Sequence, residues 1–269
     1  MLTFPNAKIN IGLNILRKRP DGFHDISSCF YPIQLCDALE AVPSQGSGSF
    51  FTSGQGISNE EPNLVSKAYH LLATDFRLPV QDIFLLKGIP IGAGLGGGSS
   101  DAAFMIKLLN NTAGLQLSDK QMEEYARKLG SDCAFFIRNK PTYCYGKGDQ
   151  LEDISFSLKG YFLYLVNPGI HISTAEAYSG IKPSEAAIDL KKVLTQPLSE
   201  WKDVVVNDFE YTIFNQYPLL AKLKSDLYEA GALYASMSGS GSSVYGIFEN
   251  PPQIDNKFKN GFVWVGELY

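Results

Sequence analysis

Five glycines in seven positions, Gly92, Gly94, Gly96, Gly97 and Gly98, fall within the run Pro90-Ile91-Gly92-Ala93-Gly94-Leu95-Gly96-Gly97-Gly98-Ser99-Ser100-Asp101-Ala102-Ala103. A main chain without side chains lets a ligand approach it closely, and its φ angles are unrestricted. Ser99, Ser100 and Asp101 then read as a helix start, and Ala102, Met105, Ile106 and Leu109 continue at helical spacing. The first turn of a helix carries N–H groups without intrahelical partners and about half a positive charge. A glycine loop feeding such a turn suits phosphate oxygens, so the chemistry implied is the holding of a polyphosphate.

The pattern is narrowed by what surrounds it. Gly92, Gly94 and Gly97 spell G-x-G-x-x-G. The dinucleotide form of that motif needs a βαβ unit and an acidic residue about 20 positions on, at a strand end. Asp119 stands near that spacing but opens a helix. No lysine follows the glycines as in a P-loop, and neither H-R-D nor D-F-G of the protein kinases occurs. An apolar strand over Ile83 to Leu86 and the helix after the loop argue against a flexible linker.

Three further places carry residues able to do chemistry. From Lys8 to Ile15 apolar and polar residues alternate, which predicts a half-buried strand with Lys8 and Asn10 on its polar face. At a strand rise of about 3.3 Å the two lie about 7 Å apart. An ordinary solvent-facing strand surface would read the same way. Arg19-Pro20-Asp21-Gly22 is turn chemistry, and Phe23 and His24 open the next strand on opposite faces, His24 being structural or functional. Asp132 follows a helix from Ser118 to Leu129 that Gly130 ends, and it precedes the apolar run Cys133 to Ile137. It is either a functional acid or the cap of the next helix.

The elements that must position these residues can be read around them. Strands and glycine turns run through Cys36 to Val42 and Ser49 to Gly56, which suggests a mixed or antiparallel sheet. Asn63 to Asp75 has helical spacing with Pro62 near its start. Ser118 with Gln121 and Ser173 with Glu176 match capping boxes. The chain turns at Gly146-Lys147-Gly148-Asp149, and an apolar strand over Tyr161 to Val166 begins a second half. A helix over Pro218 to Gly231 precedes two strands that flank Ser238-Gly239-Ser240-Gly241-Ser242-Ser243. That loop is either a second backbone wall for phosphate or a floppy hairpin loop.

Composition sets the class. At 269 residues and 45% hydrophobic content the chain can bury a sizeable core, and a net charge of −5 excludes the basic surplus a nucleic-acid partner requires. Pro5, Lys8 and Asn10 interrupt any apolar leader, and no run is long enough for a membrane span, so a soluble, cytoplasmic protein is expected. The four cysteines, Cys29, Cys36, Cys133 and Cys144, are widely spaced and the three histidines are dispersed. Neither a disulfide scaffold nor a metal held by dedicated protein ligands is indicated. Any Mg2+ is expected to arrive with a nucleotide.

Together these residues resemble the GHMP kinases. The resemblance covers most of the chain and rests on Pro5-Asn6-Ala7-Lys8-Ile9-Asn10, Arg19-Pro20-Asp21-Gly22-Phe23-His24, the Pro90 to Ala103 loop, Leu129-Gly130-Ser131-Asp132, Asn207-Asp208-Phe209-Glu210 and Met237-Ser238-Gly239-Ser240-Gly241. It implies an α+β (α/β) two-domain fold with mixed sheets and helices. Residues 1–155 would form the N-terminal ATP-binding domain and 156–269 the C-terminal domain, with the active site in the cleft between them. ATP would lie on Pro90 to Ser100. The match carries over Asp132 as catalytic base and Lys8 as its partner, while Asn10, Phe23, His24 and Thr174 would contact a cytidine diphosphate-bearing acceptor. Phe23 stands where the family usually has tyrosine, keeping a stacking face without the hydroxyl. A kinase for another small alcohol, of mevalonate or homoserine type, and a non-catalytic nucleotide-binding protein are the alternatives.

Overall fold

A computed structural model describes residues 1–54, 63–186, 188–252 and 261–269. Packing divides the chain into two compact units interleaved in sequence. One comprises Met1–Ala7, Leu35–Ile91 and Gly96–Lys140, and the other Lys8–Gln34, Gly92–Leu95 and Pro141–Tyr269. In chain order the first strands are β1 (Leu2–Thr3), β2 (Asn6–Lys18), β3 (His24–Cys36), β4 (Ala38–Pro43) and β5 (Ser49–Gly54). The remainder of the expected strand up to Gly56, and Pro62, lie outside the described residues.

The first unit is a mixed sheet with helices. After β5 come α1 (Leu64–Asp75), β6 (Gln81–Lys87), α2 (Gly97–Thr112), α3 (Asp119–Leu129) and α4 (Cys133–Arg138). The sheet order is β1-β4-β6-β5, with β5 parallel to β6 and the other pairs antiparallel. In β6 the period of two sends Gln81, Ile83, Leu85 and Lys87 inward and leaves Phe84 and Leu86 exposed. A lysine is thereby placed on the buried face. Asn63 caps α1 by accepting the Val65 N–H at 2.8 Å. The capping box at Ser118 and Gln121 forms as its spacing predicts. Helix α2 begins at Gly97, ahead of the expected Ser99, because left-handed Gly96 at φ 71° turns the chain early enough for Gly97 and Gly98 to be helical.

The second unit holds two sheets. The order β2-β3-β7-β8 uses β7 (Thr142–Gly146) and β8 (Gln150–Asp153), and β9 (Phe162–Asn167), β10 (Tyr234–Met237), β11 (Val244–Phe248) and β12 (Phe262–Glu267) form an antiparallel sheet ordered β10-β11-β9-β12. The helices are α5 (Thr174–Ser179), α6 (Leu190–Val193), α7 (Phe209–Gln216) and α8 (Pro218–Glu229). One core joins Leu13 and Ile15 of β2, Val166 of β9, Leu220, Leu223 and Leu227 of α8 and Met237 and Val244 of the hairpin.

The half-buried expectation for β2 is overturned, since every residue from Asn6 to Ile15 is buried. It is enclosed from within the same unit: along its edge the Lys8 N–H donates to the Leu95 carbonyl at 3.0 Å, and on its face Gly12 lies against Leu190 and Val205. The 206–208 segment adds a short parallel partner. Leu13 N–H donates to Val206 at 2.9 Å, Asp208 N–H returns to Leu13 at 2.8 Å, and the Asp208 carboxylate accepts from the Ile15 N–H at 2.7 Å and from Asn14 Nδ2 at 3.3 Å. Asp208→Ala leaves those donors unmet and should lower the unfolding free energy by about 1–3 kcal/mol in urea titration. Asp208→Asn keeps acceptor oxygen and should lose less.

Candidate functional site

Gly92, Gly94 and Gly96 adopt φ of 65°, 76° and 71°, and the residues between them, Ala93 and Leu95, are buried anchors. At Gly94 any Cβ would strike the Ser238 carbonyl oxygen, so glycine is required there by space as well as by φ. A Cβ at Gly97 would come within 3.0 Å of Ile89 Cγ2 and 3.4 Å of Lys87 Nζ, whereas one at Gly98 would meet only Leu64 at 3.8 Å. Pro90 is half-buried, and Ile91 and Gly92 are exposed. No side chain caps α2, whose first helical bond runs from the Ser100 N–H to Gly96 at 2.9 Å. The N–H groups ahead of Ser100 therefore have no intrahelical partner.

The 238–243 loop is pinned against this backbone. Ser238 Oγ donates to the Gly94 carbonyl at 2.8 Å, and the Ser243 N–H to Ala93 at 3.3 Å. Asn207 Nδ2 donates to the carbonyls of Met237 and Gly239, both at 2.8 Å, and Asn167 Nδ2 reaches Ser242 Oγ at 3.3 Å and Ser243 Oγ at 3.1 Å. The floppy-hairpin alternative does not survive these bonds. Asn207 was visible in the sequence only as part of a matched motif, and Asn167 carried no signal.

Lys8 and Asn10 are buried, at 3% and 2% exposure, so the solvent-facing alternative falls as well. Lys8 Nζ donates to Asn10 Oδ1 at 2.5 Å and lies 4.5 Å from the centroid of the Phe30 ring. Asn10 Nδ2 donates to Ser28 Oγ at 2.9 Å, and the Asn10 N–H to Ser238 Oγ at 3.2 Å. An ammonium is thus fixed in a polar network that also reaches the second glycine loop.

At the Arg19–Phe23 turn, Phe23 is exposed with Lys147 Nζ 5.0 Å from its ring centroid. His24 stacks on Tyr178 at 4.6 Å and 16°, and Tyr178 packs edge-on against Phe209. Burial holds the His24 imidazole below its ordinary range, with the Lys18 charge adding to the effect. Thr174 is exposed at the start of α5, where the Ser173 hydroxyl accepts the Glu176 N–H at 3.1 Å. Tyr178 lies one turn further along the helix and therefore on the same face. Sequence reasoning missed it, although the Ser173 cap sets the spacing that would have found it.

Asp132 lies in the first unit and is half-buried at the N-cap position of α4, yet its side chain makes no capping bond. The helix-cap alternative is therefore not realised. The Cys133 N–H donates to Gly130 at 3.2 Å. Burial pushes the Cys133 thiol up to about 12, against a hydrogen bond with Ser99 of α2. Lys107 Nζ donates to the Phe136 carbonyl at 2.7 Å, and Glu123 holds Arg138 at 2.7 Å, which fixes the other end of α4. Among the described residues no group of three or more His, Cys, Asp or Glu is placed to hold a metal ion.

Two family descriptions match this chain, GHMP kinases N terminal domain over residues 63–140 and GHMP kinases C terminal over 198–260. The 4-diphosphocytidyl-2-C-methyl-D-erythritol kinase of Bacteroides fragilis is 53% identical, with 100% of each chain covered. The chain belongs to the GHMP kinase family. The enzyme of the same name from Parabacteroides distasonis is 49% identical, again over 100% of each chain. A crystal structure of 4-(cytidine 5'-diphospho)-2C-methyl-D-erythritol kinase superposes with a TM-score of 0.83 at 29% identity, covering 100% of this chain and 99% of the other. The expected GHMP kinase fold, with mixed sheets and helices, is borne out, and membership makes the protein a kinase. No helix among the described residues is long and apolar enough to cross a membrane.

Two outcomes follow for this GHMP kinase. Gly94→Ala should destabilise it by more than about 1 kcal/mol, whereas Gly98→Ala, at an open helical position, should be neutral or stabilising by about 0.5–1 kcal/mol; thermal unfolding distinguishes them. His24 has a lowered pKa when folded, so the unfolded chain takes up the proton first as pH falls. Its contribution to stability is complete above about pH 6.5 and declines below it. His24→Gln should flatten that part of the stability profile.

Proposed function

We propose that the chain transfers the γ-phosphoryl group of ATP to the 2-hydroxyl of 4-diphosphocytidyl-2-C-methyl-D-erythritol, a step of non-mevalonate isoprenoid biosynthesis. One observation carries this reading: the 53% identity over the whole chain to a kinase of that name. The uncapped α2 behind three left-handed glycines supplies a place for the phosphates. Phosphoryl transfer needs little covalent chemistry from a protein, so positioning and charge stabilisation dominate. In this reading Asp132 accepts the proton of the attacking hydroxyl, and Lys8 stabilises the negative charge that develops there.

The acceptor's pyrimidine falls to the aromatic group around the Arg19–Phe23 turn. Phe23 presents an exposed ring face, His24 offers imidazole nitrogens for a base edge, and Thr174 and Asn10 complete the contacts. A hard cation takes oxygen ligands, and Ser100 Oγ is buried in the first turn of α2 without a hydrogen-bond partner among the described residues, so the residues present fit Mg2+ brought with the nucleotide. When bound, that ion neutralises charge on the phosphates.

Purified protein should hydrolyse or transfer from ATP only when the cytidine-bearing acceptor is added. Equal turnover with mevalonate or homoserine would defeat the assignment. Asp132→Asn should reduce kcat by roughly 10²–10⁴-fold with little change in ATP affinity. Lys8→Met should fall comparably, and the double variant should be far less impaired than the product of the two losses. A fully active Asp132→Asn enzyme would remove Asp132 from the mechanism.

A further inference from the structure

Between the end of β6 and the start of α2 lies a buried ionic cluster to which neither the motifs nor the proposed roles assign a task. Lys87, the last residue of β6, is turned inward, and its ammonium donates to Asp37 Oδ2 and, at 2.7 Å, to Asp101 Oδ2. Their side chains are 6%, 0% and 2% exposed. Asp37 sits between β3 and β4. Its Oδ1 accepts the N–H groups of Gly88 at 2.6 Å and Ile89 at 2.8 Å, the residues that lead into the glycines. Asp101 is on the other side of the loop in sequence, in α2, and its Oδ1 has no hydrogen-bond partner among the described residues. A Cβ at Gly97 would come 3.4 Å from Lys87 Nζ, so the start of α2 lies close to the ammonium.

The arrangement ties the two flanks of one loop through a single cation. The chain leaves β6 at Lys87 and enters α2 at Gly97, so the Lys87–Asp101 bond closes the segment that contains every glycine of the motif. The Asp37 bonds to Gly88 and Ile89 fix the direction in which it departs. Five of the seven residues from 92 to 98 are glycine, and glycine loses more conformational freedom on ordering than any other residue. Rigid support from outside the loop replaces what the glycines lack, and it lowers the ordering cost that binding would otherwise carry.

We infer that Asp37, Lys87 and Asp101 are positioning residues for the nucleotide, holding the glycine loop open at a fixed span so that its N–H groups meet the phosphates. The inference rests on the reading of this loop as the ATP site. The cluster bonds only to the flanks of that loop, while residues 93–95 are held separately by Ser243, Ser238 and Lys8, so loosening it acts on nucleotide binding and leaves the acceptor's contacts in place.

Calorimetry on the full chain, titrating MgATP and 4-diphosphocytidyl-2-C-methyl-D-erythritol separately, tests this. Asp101→Leu removes the tie, and its Kd for MgATP should rise by roughly 10- to 100-fold with the acceptor Kd unchanged. Asp101→Asn retains an oxygen for the Lys87 ammonium and should recover most of the lost affinity. Lys87→Met strands two carboxylates in the interior and is informative only if it folds, whereas the Asp101 pair does not depend on it. Wild-type affinity for MgATP in Asp101→Leu, or an equal loss for both ligands, overturns the inference. Failure of the wild-type chain to bind MgATP would instead overturn the assignment of the loop.

Discussion

The carbonyl oxygen of Ser238 occupies the space that any side chain at residue 94 would need. Much of the second unit can be traced outward from that backbone contact. Ser238 is held in place because Asn207 donates both amide hydrogens, to Met237 and Gly239, while its Oδ1 accepts the Phe209 N–H at 3.0 Å. One amide is thereby used at both ends. Asn207 in turn is located by the bonds of its neighbours Val206 and Asp208 to Leu13 of β2. The strand that carries Lys8 and Asn10 and the loop that abuts Gly94 are therefore parts of one hydrogen-bonded chain. A shift in either would be felt by the other.

Lys87 is buried against two carboxylates. Removing an ion from water costs several kcal/mol in practice, and a buried pair offsets this only when its geometry is good and its remaining groups are bonded. Asp37 satisfies that condition through Gly88 and Ile89. Asp101 does not, and burial pushes its carboxyl up to about 7, with the Lys87 charge opposing the rise and the Asp37 charge adding to it. Charge is thus kept in the interior at a cost that a stability-optimised core would avoid, which is a common mark of a site that serves a ligand.

Local spacing made the frame legible. The capping box at Ser118 and Gln121, the Asn63 helix start, the β9 strand and the hairpin around 238–243 stand where turn and capping residues put them. Motif spacing also picked out the glycine loop itself. The failures share a cause, which is burial by segments distant in sequence. Alternation in β2 is a sound sign of a strand, but it cannot show that Leu95 and Ser238 pair its edge or that Leu190 and Val205 lie on its face. A terminal lysine on an alternating strand such as β6 looks solvated until Asp37 and Asp101 are seen against it. Nor does a linear reading carry the fact that residues 8–34 pack with 141–269.

The buried polar atoms left over make the remaining point. Native interiors pair nearly all their polar groups, so each exception asks for a reason. Ser100 Oγ and Asp101 Oδ1, on consecutive residues of one helical turn, both lack a hydrogen-bond partner among the described residues. Glycine-rich entry to α2 already sacrifices backbone order, and the absence of a side-chain cap leaves its first N–H groups unmatched within the helix. Three separate departures from good local construction therefore converge on one turn. Each alone is a defect of modest size, but on the proposed reading of the loop a nucleotide's phosphates would give the unmatched N–H groups their acceptors.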